Sequence, residues 1–164
     1  MKNFNKIDSV YVKKLKTVRL KLSKDYIADP SDDESPKVEN PDEIYSILKS
    51  LYTQLDDDQE HILMIVLNVV NEVIGFKIIS SGTQTSGPAD AKIIFRSALL
   101  LGATKIILAH NHPGGSLKPS KADISFTEKV IGAGKSIDIP VVDHIIFTYN
   151  GYLSMRAERV CVFD

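Results

Sequence analysis

Apolar positions over residues 40–155 switch between a helical and an extended period, and the order of the switches predicts a fold. Asn40 precedes Pro41 and stands three residues before Glu43, the arrangement of an N-cap with proline at the first helical position. Ile44, Leu48, Leu51 and Leu55 then recur at helical spacing. The runs EHILMIVL at 60–67 and EVIGFKIIS at 72–80 flank Asn68 to Asn71 and predict a β-hairpin. A second helix is expected from Pro88 to Leu101, stopping at Gly102, and KIILAH at 105–110 is apolar enough to be a strand buried on both faces. A third helix starts at Ser120 and fades at Gly132 or Gly134, and VVDHIIFTYNGYLSM at 141–155 predicts strands around an Asn150–Gly151 turn. The whole pattern predicts an α/β protein, a mixed sheet flanked by helices.

Upstream, Val10, Val12, Val18, Leu20 and Leu22 alternate with lysines, as in a strand with one buried face, whereas DPSDDESPKVEN at 29–40 has no period and predicts an acidic linker or mobile loop. The expected organisation is a basic strand arm with its linker over 1–39 and a single domain over 40–164, because a chain of 164 residues holds one core of ordinary size and not two. Residues 1–24 carry eight Lys/Arg against one Asp, and residues 25–60 twelve Asp/Glu against two Lys. An edge strand protected from aggregation by its lysines explains the arm, and contact of residues 1–24 with DNA is the alternative.

The net charge of −1 argues against coating nucleic acid by bulk charge, and 43% apolar with 25% charged residues is the composition of a soluble globular protein. Cys161 is the single cysteine, which excludes an internal disulfide and a cysteine-rich metal cluster and suits a reducing compartment. The longest aliphatic run, ILMIVL at 62–67, is far short of a membrane span, and MKNFNKIDSV lacks the apolar core of a signal peptide, so a cytoplasmic protein with no membrane partner is expected.

The candidate chemistry lies in ILAHNHPGGSLKPSKAD at 107–123. Residues i and i+2 of a strand face one side, so His110 and His112 can aim both imidazoles into one space. Pro113-Gly114-Gly115 reverses the chain, and Ser120 and Asp123, three apart at a helix start, share one helical face. Two imidazoles and a carboxylate suit zinc, with a fourth position left for water. Ser120-x-x-Asp123 is also close to a capping box, which needs no metal; the two roles are compatible.

H-x-H, seven residues and S-x-x-D is the JAMM motif of the MPN metallopeptidase superfamily, complete here as His110, His112, Ser120 and Asp123. "AHNHPGG" with "PSKADI", preceded by "EHILMIVLN" and "GT" and followed by "DHIIF" and "YLSMR", resembles the RadC family, historically labelled DNA repair. The resemblance covers roughly residues 41–164. It implies a three-layer α/β/α domain with an architecture similar to cytidine deaminases, His110, His112 and Asp123 as Zn2+ ligands, Ser120 as a group that helps hold the tetrahedral intermediate or the metal water, and Glu60 as the catalytic glutamate. This chain has Gly114 where typical members have serine, a change expected to affect loop flexibility more than ligation. Longer members carry an N-terminal helical region that residues 1–40 do not resemble, which weakens transfer of a DNA role.

Taken alone, DDDQE at 56–60 reads as a solvated acidic loop; as the residue opening an apolar strand, Glu60 can instead reach a metal at the end of the neighbouring strand, with Glu72 as the fallback base. His61, Asp143 and His144 are read as non-ligands: Asp143 and His144 point to opposite faces of their strand, and His61 faces away from Glu60. The leading expectation is a zinc-dependent hydrolase of a peptide or isopeptide amide. A metal-dependent nuclease and a non-catalytic DNA-binding module of a repair or mobile-element complex are the competitors. A base deaminase is weaker, because the Pro-Cys-x-x-Cys ligand pair is missing.

Overall fold

The computed structural model describes residues 35–52, 58–82 and 90–163. The predicted lysine-rich strand at 10–22 lies outside them, as do residues 29–34 of the acidic segment and Leu55. Helix α1 (Pro41–Tyr52) opens as the sequence requires: Asn40 Oδ1 accepts from Glu43 N–H at 3.0 Å, and Glu43 Oε2 accepts from Asn40 N–H at 3.3 Å. A cap of this kind is worth about 1 kcal/mol. Ile44, Ile47, Leu48 and Leu51 form its buried face.

Strands β1 (His61–Leu67) and β2 (Val73–Ser81) form the expected antiparallel hairpin, with Asn71 at the positive φ of 68° that the tight turn requires. Residues 35–40, read from sequence as linker, are tied to this turn. Val38 N–H donates to Asn71 O at 2.9 Å, Val73 N–H donates to Pro36 O at 2.9 Å, and Val38 is buried. An apolar valine between charged neighbours is too short a signal for periodicity to register.

Pro88, the expected start of the second helix, lies outside the described residues; helix α2 (Ala91–Leu100) is capped by Asp90, whose side chain accepts from Lys92 N–H at 3.0 Å. It ends as expected at Gly102, φ 69°, with Ala103 N–H bonded back to Ala98 O. Strand β3 (Lys105–Asn111) is buried on both faces, and helix α3 (Lys121–Lys135) follows. The helix ends one residue past Gly134, close to the expected place, with Ser136 N–H bonded to Gly132 O and Ile139 N–H to Gly134 O. A Cβ at Gly134 would come 2.5 Å from the Ile139 carbonyl and 3.0 Å from Phe95, so glycine also serves close packing there. Strands β4 (Val141–Thr148) and β5 (Gly151–Ser154) close the chain around the expected turn.

The sheet order is β2-β1-β3-β4-β5, antiparallel except for the β3/β4 pair. Each face has its own core. Leu63, Ile65, Ile107, Ala109, Ile145 and Phe147 pack with α1, whereas Met64, Val66, Ile106, Leu108 and Ile146 pack with α2 and α3. The architecture is therefore the expected three-layer α/β/α with a mixed sheet. Among the described residues no helix is long and apolar enough to cross a membrane.

Candidate metal centre

Strand β3 delivers both histidines to one place. His110 and His112 bring their Nε2 atoms to 3.0 Å of each other, as the i, i+2 spacing predicts. The chain then reverses through a turn in which Gly115, at φ 78°, donates its N–H to His112 O at 3.0 Å. Gly114 has no such constraint, and nothing lies within 4 Å of where its Cβ would be, so the serine typical of the resembling family fits this loop.

The reversal sets down α3 beside the histidines. Ser120 is its N-cap: Ser120 Oγ accepts from Asp123 N–H at 3.1 Å and Asp123 Oδ2 accepts from Ser120 N–H at 2.7 Å. The capping box and the approach to the histidines coexist. Asp123 Oδ1 lies 3.5 Å from His110 Nε2, and Oδ2 lies 3.7 Å from His112 Nε2. Glu60 completes the group from the start of β1, which runs antiparallel to β3 with Ile62 opposite His110. One ligand atom from each of Glu60, His110, His112 and Asp123 lies within 4.8 Å of all the others, so the four could hold a metal ion.

The hydrogen-bond network fixes which ring nitrogens carry protons. A carbonyl can only accept, so His112 Nδ1 donates to Ser116 O at 2.6 Å, leaving Nε2 with its lone pair. Thr127 spends its hydroxyl proton on Asp123 O at 2.6 Å and must therefore accept from His144 Nδ1, also at 2.6 Å. The Nε2 of neutral His144 then accepts from His110 Nδ1 at 2.8 Å, and His110 Nε2 is likewise left with its lone pair. Burial, with His110 beside it, pushes His144 well below the ordinary imidazole value and keeps it neutral.

With both rings neutral, three acceptors face one another, and either a proton on a ring Nε2 or a metal ion can sit between them. The charges agree. Burial opposes ionisation of Asp123, but hydrogen bonds from His110, His112 and Ser120 outweigh it and hold the carboxyl well below the usual carboxylate range. The same carboxylate draws His112 upward from the ordinary imidazole value, so the site favours positive charge at that nitrogen. The donor set of two imidazoles and a carboxylate fits a divalent metal.

Glu72, the fallback base, is ruled out by strand direction. It lies at the Leu67 end of the hairpin, with His61 paired to Ser81 at the other, and its carboxylate accepts from Asn68 Nδ2 at 2.6 Å. His61 stays out of the cluster as expected, its Nδ1 in contact with Ser81 Oγ at 2.8 Å. Asp143 is structural, accepting from the backbone N–H groups of His144 and Arg156. His144 stays outside the cluster, but sequence reasoning missed that it holds the His110 ring. Its place on the face of β4 shared with His110 depends on the β3/β4 register, Leu108 opposite His144, which no local pattern reveals. Thr127, one turn after Asp123, was missed for the same reason.

Residues 38–160 match the family model described as RadC-like JAB domain. The chain is 40% identical to a UPF0758 protein of Carboxydothermus hydrogenoformans over 121 residues, 74% of this chain and 53% of the relative. It is 38% identical to a UPF0758 protein of Gloeothece citriformis over 120 residues, 73% of this chain and 49% of the relative. To a UPF0758 protein of Methanococcoides burtonii the identity is 34% over 128 residues, 78% of this chain and 55% of the relative. The chain spans about half the length of these curated relatives.

Proposed function

Because the chain belongs to the RadC-like JAB domain family, we propose that it is a zinc-dependent hydrolase of amide bonds, peptide or isopeptide, with His110, His112 and Asp123 as ligands, Glu60 as general base and Ser120 as oxyanion donor. The observation that carries this reading is the convergence of His110 Nε2, His112 Nε2 and the Asp123 carboxylate on one space beside a second carboxylate. When bound, zinc supplies Lewis acidity, polarising a carbonyl and lowering the pKa of water toward about 7.

The chain's own residues account for the proton traffic. Glu60 takes a proton from the attacking water and passes it to the amide nitrogen, which leaves as a neutral amine. Ser120 uses a lone pair to cap α3, so its hydroxyl proton remains to be donated to the carbonyl oxygen as that atom gains charge. Asp123 keeps its negative charge throughout, and His144 with Thr127 holds the His110 ring in one tautomer. A cleft of about 300 Å³ opens beside His112, lined by Tyr52, Pro113, Gly115, Thr148 and Tyr149, and gives a substrate chain room next to the cluster.

The test combines metal analysis with a Glu60→Gln variant. Zinc is expected in stoichiometric amount in both proteins, with hydrolysis of a peptide and isopeptide panel lower in the variant by about 10²–10⁴-fold. Undiminished hydrolysis by Glu60→Gln, or a wild-type protein that holds no zinc, contradicts the assignment.

A further inference from the structure

The middle residue of the histidine motif is left without a task by the chemistry above. In the extended strand His110 and His112 face one side and Asn111 the other. Asn111 is completely buried, on the face that carries Ala109 and packs with α1. The ladder between β1 and β3 ends with Ile62 opposite His110, and one step beyond it the Asn111 carboxamide stands in for a backbone peptide group. Its Oδ1 accepts the N–H of His61 at 2.7 Å and its Nδ2 donates to the carbonyl of Gln59 at 2.8 Å.

Those two groups belong to the peptide planes on either side of the Glu60 Cα. The φ and ψ of Glu60 are the rotations that relate these planes, and they set the direction in which its side chain leaves the chain. From the opposite side, Gly82 N–H donates to Glu60 O at 3.1 Å, with Gly82 at φ 97°, a conformation that favours glycine. Glu60 itself lies just outside β1, so these bonds replace the ladder it lacks.

We infer that Asn111 is a positioning residue for Glu60: its carboxamide brackets the two peptide groups around Glu60 and so directs that carboxylate toward the paired histidine nitrogens. The inference rests on the reading of Glu60 as the base. Three consecutive residues at the end of β3, His110 to His112, then set both parts of the site, ligands from one face and the placement of the base from the other. Strand alternation locks the two together, since a one-residue slip would turn Asn111 toward the cluster and the histidines toward α1. The side chain is matched to the task, because aspartate lacks the donor, leucine lacks both groups and glutamine is a methylene too long.

A double-mutant cycle on the full chain loaded with cobalt(II) tests this, read by the visible absorption of the metal and by amide hydrolysis. Asn111→Ala is expected to keep its bound cobalt, because the ligands are untouched, and to shift the spectrum in the same direction as Glu60→Gln. It should lower kcat by about 10²-fold with KM within about twofold, the cost of an ångström-scale misplacement. In the Glu60→Gln background the same substitution should change neither readout; a further loss there, or loss of cobalt itself, shows a role in folding alone and overturns the inference. If the wild-type protein cleaves no amide, the hydrolase reading fails while the spectral cycle still judges the clamp without a substrate. Where Asn111→Ala does not fold, Asn111→Ser is read in its place. NMR of the wild-type protein adds an independent check: scalar coupling across the hydrogen bond between the His61 amide nitrogen and Asn111 Cγ is expected, and its absence refutes the clamp.

Discussion

Glu60 and Glu72 stand in nearly the same local sequence, each a glutamate at the head of an apolar strand of one hairpin, yet the fold gives them opposite tasks. Glu60 ends among His110, His112 and Asp123, with its backbone held from both neighbouring strands. Glu72 ends at the far side of the sheet. Its carboxylate is bonded to Asn68 Nδ2, its N–H donates to Asn68 Oδ1 at 2.9 Å, and its backbone pairs with Lys37. One glutamate closes a turn and the other faces the two histidines and Asp123, and the difference is strand direction alone. An antiparallel hairpin separates the heads of its two strands by the full length of the ladder, about 20 Å for strands of this size.

The comparison breaks most completely at the ligands. Asp123→Ala is expected to abolish stoichiometric metal binding, measured by elemental analysis after dialysis, whereas Glu72→Gln should leave the stoichiometry unchanged; metal loss from the latter would mean that the two ends are not independent. Next in size is the support behind His110. His144→Gln and Thr127→Val are each expected to weaken metal affinity by about 10–100-fold in competition titration with a chelator, because His110 loses its fixed tautomer while all ligands remain. Equal affinity in both variants would show that the network only fills space.

At the other end the effects are on stability. Asn68→Ala removes the acceptor for Val70 and Glu72 N–H and the donor to the Glu72 carboxylate. It is expected to cost about 1–2 kcal/mol in urea unfolding with metal affinity intact. The smallest effect is alkaline. Tyr152 O–H donates to Asp42 Oδ1 at 2.6 Å, and that hydrogen bond, with burial, pushes the phenol up to about 12. The folded protein thus holds this proton more tightly than the unfolded chain, whose tyrosine loses it near about 10. Stability from this contact is present below pH 10 and falls as pH rises from about 10 to about 12. Tyr152→Phe should flatten that part of the stability profile, measured by urea unfolding at stepped pH.

Much of the site was legible because its parts are close in sequence. His110 and His112 share a face by strand period, and Ser120 and Asp123 share one by helical period, so local geometry alone brings each pair together. The capping box and the approach to the histidines, read from sequence as compatible, do coexist: Asp123 Oδ2 accepts from Ser120 N–H and faces His112, while Oδ1 faces His110. His144, Thr127 and Asn111 were not legible in their roles. Each acts through a partner on another element, and the pairing that joins them, Leu108 with His144 or Ile62 with His110, is a matter of register. The reading of 29–40 as linker missed the burial of Val38 for a related reason, since a single apolar residue has no period.

By itself the sequence determined the order of helices and strands, the caps at Asn40 and Ser120, and the pairing of two histidines with a carboxylate three residues after a helix cap. Those follow from interactions within a few residues of each other, where spacing along the chain is spacing in space. Only the tertiary structure decided which glutamate meets the histidines, which proton each imidazole keeps and which face of β3 holds Glu60 in place. These depend on the direction and register in which distant segments pair, and hydrophobic burial sets both for the whole sheet at once.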